Sequence, residues 1–181
     1  MQRAISFIRK ILAGLNCIIL QIVFYKRLKI SIPSITFSIN PFLLFPGSMT
    51  ILGKMAIVAK HCEIISLGRI KIGNNFCINK YSRIVAHKEI IIGNNVTIAQ
   101  FVSILDHDHA YKIIDNQMIL DGYKIKKISI GNNVWIADKV TICKGVTIGN
   151  NVIIGANSVV IKDIEDNCIA VGNPCKKIKN L

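Results

Sequence analysis

Aliphatic residues recur every six positions along much of this chain, and that period limits the folds it can adopt. Ile72, Ile78 and Ile84 are spaced by six, as are Ile92, Ile98 and Ile104; Ile130, Ile136, Ile142, Ile148, Ile154 and Val160 continue the series. The position two residues earlier is also apolar or small: Val96, Val134, Val140, Val146, Val152 and Ser158. Alternating side chains put these two positions on one face of a short strand. Gly and Asn follow the aliphatic residue, as in Ile92-Gly93-Asn94-Asn95 and Ile148-Gly149-Asn150-Asn151. Both tolerate the left-handed backbone conformations used at sharp corners. Each hexad therefore reads as one strand and one corner. Stacking such strands coil upon coil, at about 4.8 Å, gives a triangular parallel β-helix. A helical period near 3.6 is excluded.

The repeat occupies about residues 51–163, with residues 1–50 before it and a basic tail, 164–181, after it. The hydrophobic content is 51%, yet only 7% is aromatic. Isoleucine dominates, as suits a core of stacked β-branched side chains. Twenty-three Lys and Arg against ten Asp and Glu give a net charge of +13, which favours negatively charged partners. No arginine-rich or aromatic-interleaved tract is present, so nucleic acid is not an expected partner. The six cysteines include no CxxC pair, and no cleavable signal peptide is evident. A reducing, cytoplasmic location is the simplest reading, with most cysteines as small buried fillers.

Ile11 to Tyr25 is largely apolar and flanked by Arg3, Arg9 and Lys10 on one side and Lys26, Arg27 and Lys29 on the other. Three readings stand for this expected helical segment. It packs on the β-helix, it lies as a basic amphipathic helix on the inner membrane surface, or it spans the bilayer, for which it is short. Pro33, Pro41 and Pro46 mark the passage from this segment to the repeat.

The hexad phase fails after Ile104-Leu105 and resumes near Ile128-Ile130. A loop of that length in a compact repeat domain is usually functional. It opens with Asp106-His107-Asp108-His109, two of the four histidines in the chain. Imidazole suits proton abstraction near neutral pH, and an adjacent carboxylate can orient it. Asp106 and Asp108 are candidates for that role or for substrate contact; solvated loop carboxylates are the plain alternative.

Several runs resemble the hexapeptide-repeat acyltransferases: Ile130-Gly131-Asn132-Asn133-Val134-Trp135-Ile136, Val146-Thr147-Ile148-Gly149, and the ending Val171-Gly172-Asn173-Pro174-Cys175-Lys176. The nearest branch is the galactoside and maltose O-acetyltransferases with their capsule and lipopolysaccharide relatives. The resemblance covers about residues 64–181. It implies a left-handed β-helix, although parallel crossovers are ordinarily right-handed and the spacing alone does not overturn that rule. It also implies a homotrimer with active sites between subunits, and acetyl-coenzyme A as co-substrate.

By the same resemblance the catalytic histidine follows the last regular hexad at a fixed offset. Counting from Ile98-Ala99 gives His109, with His107 as the second candidate. Asn79 aligns with an acceptor-binding asparagine, or is simply a corner residue. Asp138 falls where a small hydroxyl residue commonly supplies a backbone N–H to the oxyanion; its carboxylate must then point away. Trp135, the only tryptophan, would line the pantetheine channel, and Ala156 would let coenzyme A approach the backbone. Lys162, Lys176 and Lys179 would meet its phosphates, without the bidentate fork of arginine. Gamma-class carbonic anhydrases, a related β-helix family, hold zinc through three histidines, but the spacing of His61 and His87 to the loop does not match theirs. No metal is expected.

The expectation is an acetyl-coenzyme A-dependent O-acetyltransferase acting on a sugar or glycan in surface polysaccharide assembly. The rivals are an N-acetyltransferase of an amino sugar or nucleotide sugar and a non-catalytic scaffold.

Overall fold

The computed structural model describes residues 50–181, the strands Leu28–Ile30, Ile35–Phe37 and Phe42–Leu44, and five helical residues, Leu15, Ile18, Ile19, Ile22 and Val23. The chain winds as a three-sided prism. Its first coil comprises β1 (Leu28–Ile30), β2 (Ile35–Phe37) and β3 (Phe42–Leu44); the second β4 (Thr50–Leu52), β5 (Ala56–Val58) and β6 (Glu63–Ser66). The third holds β7 (Arg69–Ile72), β8 (Cys77–Ile78) and β9 (Arg83–Ala86); the fourth β10 (Glu89–Ile92), β11 (Thr97–Ile98) and β12 (Ser103–Leu105). An excursion through β13 (His107–Ile114) and β14 (Gln117–Ile125) follows. The fifth coil is β15 (Ile128–Ile130), β16 (Val134–Ile136) and β17 (Thr141–Ile142); the sixth is β18 (Thr147–Ile148), β19 (Val152–Ile154) and β20 (Val159–Val160). A partial turn, β21 (Cys168–Val171), ends in β22 (Lys176–Asn180), which folds back antiparallel along it.

Strands of successive coils pair in parallel and in register, giving three sheets: the A face from β1 to β18, the B face from β2 to β22, and the C face from β3 to β20. The coil thus begins before residue 51. Leu28 pairs with Thr50, Ile35 with Ala56 and Phe42 with Glu63. Pro33, Pro41 and Pro46 lie outside the described residues, in the sequence between these strands, so the coil is already under way where the sequence marked a passage toward it.

Every aliphatic position of the hexad series from Ile72 to Val160 is buried, along with its partner two residues earlier. The Gly-Asn-Asn corner divides its work between residues. A Cβ on Gly131 would lie 2.6 Å from the Gly149 carbonyl oxygen, and one on Gly93 2.5 Å from that of Gly131. These glycines are required because the coils approach too closely for a side chain. The left-handed conformation falls instead on the second asparagine: Asn75, Asn95, Asn133 and Asn151 all have φ between 53° and 56°. Asparagine tolerates that region, and here its side chain also links the coils. Asn75 Nδ2 donates to Asn95 Oδ1 at 2.8 Å, and the ladder continues through Asn133, Asn151 and Asn167.

Candidate functional site

The histidine loop leaves the prism at the edge between the C and A faces. It is a regular hairpin rather than an irregular loop. Asp115 and Asn116 sit at its tip with φ of 50° and 61°, the paired positive values of the tight hairpin turn that matches strand twist. His107 pairs with Ile125, Asp108 with Lys124 and His109 with Tyr123; beyond His109 the register shifts. Gly122, with φ +77° and open space where a Cβ would be, lies at this bulge. Bulges increase local twist and re-aim neighbouring side chains. Here the side chain beside the bulge is that of His109.

Asp106 belongs to the scaffold. Its side chain is fully buried, and its carboxylate accepts hydrogen bonds from the backbone N–H groups of His87 and Lys88, both at 2.7 Å, and of Glu89 at 2.9 Å. It therefore caps the corner of the preceding coil, and the expected role in substrate contact is corrected accordingly. Asp108 is exposed and pairs with Lys144 on the fifth coil, not with His109. Adjacent residues of an extended strand point oppositely, which puts Asp108 and Lys124 on one side of the hairpin and His107, His109 and Tyr123 on the other. Among the described residues His109 has no carboxylate within ion-pair distance.

What surrounds His109 is aromatic. Its ring lies 4.8 Å from that of Tyr123. Tyr123 also meets His87 edge-on at 4.6 Å and His107 at 5.6 Å, and those two imidazoles stack at 3.7 Å. His107 Nδ1 is buried without a hydrogen bond, 3.5 Å from Asp106 Oδ1. Burial first, then the neighbouring His107, push the pKa of His87 below its ordinary value; Asp106 opposes this and His109 adds to it. His109, by contrast, is exposed. Of the three clustered histidines it is the exposed one, while His107 is packed into the hairpin base.

His87 and Tyr123 were not singled out from the sequence. A signal for His87 existed: corner residues of the third and fourth coils are 20 apart, as in Asn74 and Asn94, and that step carries His87 onto His107. Nothing comparable pointed to Tyr123.

The remaining candidates fall into two groups on different edges. Trp135 is half exposed on the B face, where a shallow cavity of about 500 Å³ is lined by Asn95, Thr97, Asn133, Val134 and Trp135. Asp138 and Ala156 sit on consecutive coils at the B–C edge, linked by the Asn157 N–H to Asp138 carbonyl bond. The Asp138 carboxylate accepts from the Gln100 N–H at 3.0 Å, engaged with the neighbouring coil. Asn79 lies on the same edge, its Nδ2 donating to the Ile98 carbonyl at 3.1 Å. Lys176 and Lys179 are exposed on β22, at the end of the B face. Lys162 lies instead beyond β20 toward the C–A edge, which also carries the hairpin. One chain therefore does not bring His109 together with Asn79 and Trp135. Among the described residues no group of three His, Cys, Asp or Glu side chains is placed to hold a metal ion.

A coil of six-residue repeats, each one short strand and one corner, with a histidine-bearing hairpin between its fourth and fifth turns, defines a hexapeptide-repeat protein. The bacterial transferase hexapeptide (six repeats) family matches residues 127–162. A maltose O-acetyltransferase of Clostridium difficile shares 38% identity over 72% of this chain and 68% of its own, with a TM-score of 0.63. A hexapeptide-repeat acetyltransferase of Vibrio cholerae, complexed with acetyl-coenzyme A, shares 28% over 72% and 70% of the two chains, with a TM-score of 0.62. The galactoside O-acetyltransferase of Escherichia coli is 54% identical over 54 residues, 30% of this chain and 27% of its own. The matched stretches thus span less than a third of these curated relatives' length. The chain belongs to the hexapeptide-repeat acyltransferase family, and its β-helix is of that family's left-handed kind.

Proposed function

We propose that this protein is an acetyl-coenzyme A-dependent O-acetyltransferase of a sugar hydroxyl, with His109 as general base. The observation that carries the reading is the hairpin. It breaks the coil once and presents an exposed imidazole at its root, and two of the relatives named above are a maltose and a galactoside O-acetyltransferase. The base would take the alcohol proton as the oxygen attacks the thioester carbonyl, directly and without an acyl-enzyme. The proton then passes to the departing thiolate. Such a base contributes about 10²–10⁴-fold. Trp135 and the cavity beside it offer an apolar wall to a pantetheine arm. Lys176 and Lys179 at the end of the same face offer charge to phosphates.

Because His109 stands at the C–A edge and Trp135 on the B face, the complete site of this reading requires a second copy of the chain, and a homotrimer joining a C–A edge to a neighbour's B face satisfies this. A glycan of the cell surface is the acceptor class this reading favours. An N-acetyltransferase of an amino sugar would use the same base.

The N-terminal segment supports a place for the reaction. Leu15, Ile18, Ile19, Ile22 and Val23 are helical and exposed at the spacing of a single helical stripe. The flanking Arg3, Arg9, Lys10, Lys26, Arg27 and Lys29 suit an anionic membrane surface. Among the described residues no helix is long and apolar enough to cross a membrane.

The test is transfer from labelled acetyl-coenzyme A to a panel of glycans, amino sugars and nucleotide sugars. Transfer to hydroxyls that falls at least 100-fold in His109→Ala supports the reading; undiminished transfer in that variant refutes the base. Failure of the wild type to bind coenzyme A would favour a scaffold. Co-sedimentation with anionic but not zwitterionic vesicles tests the membrane contact, and none with either would refute it.

A further inference from the structure

Among the described residues His109 has no carboxylate beside it of the kind that commonly orients a catalytic imidazole, and its surroundings offer one substitute. We propose that Tyr123 is a positioning residue for His109: its ring, braced by the His87–His107 stack, holds the imidazole in its working orientation. The inference rests on the reading of His109 as the base.

Four observations meet here. Tyr123 is the direct cross-strand partner of His109, with ring centroids 4.8 Å apart and planes tilted by 37°. Directly opposite side chains on an antiparallel pair are the unit through which strands orient one another. The bulge beside them, with Gly122 at φ +77°, sets the local twist at which the two rings meet. Tyr123 is in turn braced edge-on by His87 at 4.6 Å and by His107 at 5.6 Å. Edge-to-face contacts of this kind favour one ring geometry over others.

The brace reaches into the prism. His87 stands on the corner whose N–H groups are capped by buried Asp106, and His107 follows Asp106 directly in the chain. A single buried carboxylate thus fixes the backbone beneath both histidines, and they in turn flank Tyr123. Asp108 and Lys144 tie down the opposite side of the same strand. An exposed side chain on a protruding hairpin would ordinarily sample several rotamers. Here the root of the hairpin is clamped on both sides, and among the described residues the ring against His109 is that of Tyr123. Catalytic groups lose rate steeply when their supporting contacts loosen, by up to about 10²-fold for a displacement near 1 Å.

The test uses the full-length protein and the variants Tyr123→Phe, Tyr123→Ala, His87→Phe and His87→Ala, each first shown to bind coenzyme A and to melt as a folded species. Positioning through the ring predicts that Tyr123→Ala lowers kcat by about 10–100-fold with KM for acetyl-coenzyme A unchanged. Tyr123→Phe should stay within about threefold of the parent. His87→Phe should keep the brace and His87→Ala weaken it. The His109 ring proton resonances, shifted by the Tyr123 ring current, should move toward the free-histidine position in Tyr123→Ala and stay in place in Tyr123→Phe.

Unchanged kcat and unchanged His109 resonances in Tyr123→Ala would overturn the proposal. So would a Tyr123→Phe variant as impaired as Tyr123→Ala, since the hydroxyl would then act chemically. Should His109→Ala prove fully active, the general-base reading fails, while the resonances still report whether Tyr123 orients the ring.

Discussion

Replacing Asp106 by Ala removes the acceptor of three backbone N–H groups at the corner beneath the histidines. Hydrogen bonds to a charged group are each worth about 1.5–3 kcal/mol, and a buried donor left without a partner costs about 1–3 kcal/mol. Simple addition over His87, Lys88 and Glu89 overstates the loss. Lys88 is exposed and its two neighbours are half-buried, so water recovers part of the bonding. The expected destabilisation is about 3–5 kcal/mol, at the upper end for single substitutions. Asp106→Asn separates the contributions. An amide oxygen in the place of Oδ2 keeps the bonds from Lys88 and Glu89, while the new NH₂ group faces the His87 N–H. About 1–3 kcal/mol should then be lost. Urea unfolding at one fixed protein concentration measures both, since association also contributes to apparent stability. Amide exchange adds location: His87, Lys88 and Glu89 should lose protection before the fifth and sixth coils do. An Asp106→Ala protein within about 0.5 kcal/mol of the parent, the range of an ordinary surface change, would refute the capping argument.

Two further outcomes follow from the same packing. Gly131→Ala would set a Cβ 2.6 Å from the Gly149 carbonyl oxygen and 2.7 Å from its carbonyl carbon, and because these two contacts are backbone the coils must separate; a loss of about 3 kcal/mol or more in urea unfolding is expected. Acid should destabilise the corner at His87. Its folded pKa is held below the unfolded 6.5 by burial and by His107, so the unfolded chain takes up the proton first. The stability is therefore complete above about pH 6.5 and is lost as pH falls through the folded value; His87→Phe should flatten that part of a melting-temperature profile.

The coil was legible because its signal is dense and local. Every hexad spends one aliphatic side chain on the core and one small residue on a corner, so Ile98, Ile136 and Ile154 announce their burial by spacing alone. The first coil was hidden by Pro33, Pro41 and Pro46, which read as breakers of a helix yet fall between strands. The hairpin was missed for a related reason. Its strands expose both faces, so no alternation of buried and exposed residues marks them, and only Asp115-Asn116 at the turn carries a local signal.

The two aspartates of Asp106-His107-Asp108-His109 show the limit of motif reading. Identical residues two apart in the chain have opposite fates. One is buried as a cap of the preceding coil and the other is exposed on an ion pair with the next. That difference depends on where the chain turns out of the prism, which no spacing reports.

The sequence by itself determined the period of the repeat, the identity of the core, the place where the coil breaks, and the arrival of two histidines at that break. These are properties of neighbours six residues apart or fewer. The tertiary structure decided which histidine of the hairpin faces outward, which carboxylates serve the scaffold, and that Tyr123 stands beside His109 with His87 against it. It also decided that His109 stands at the C–A edge of the prism and Trp135 on its B face. The physical reason is the winding: each coil brings residues some 20 positions apart into contact, while the hairpin folds Tyr123 back onto His109 through a turn and a bulge whose geometry only the assembled chain defines.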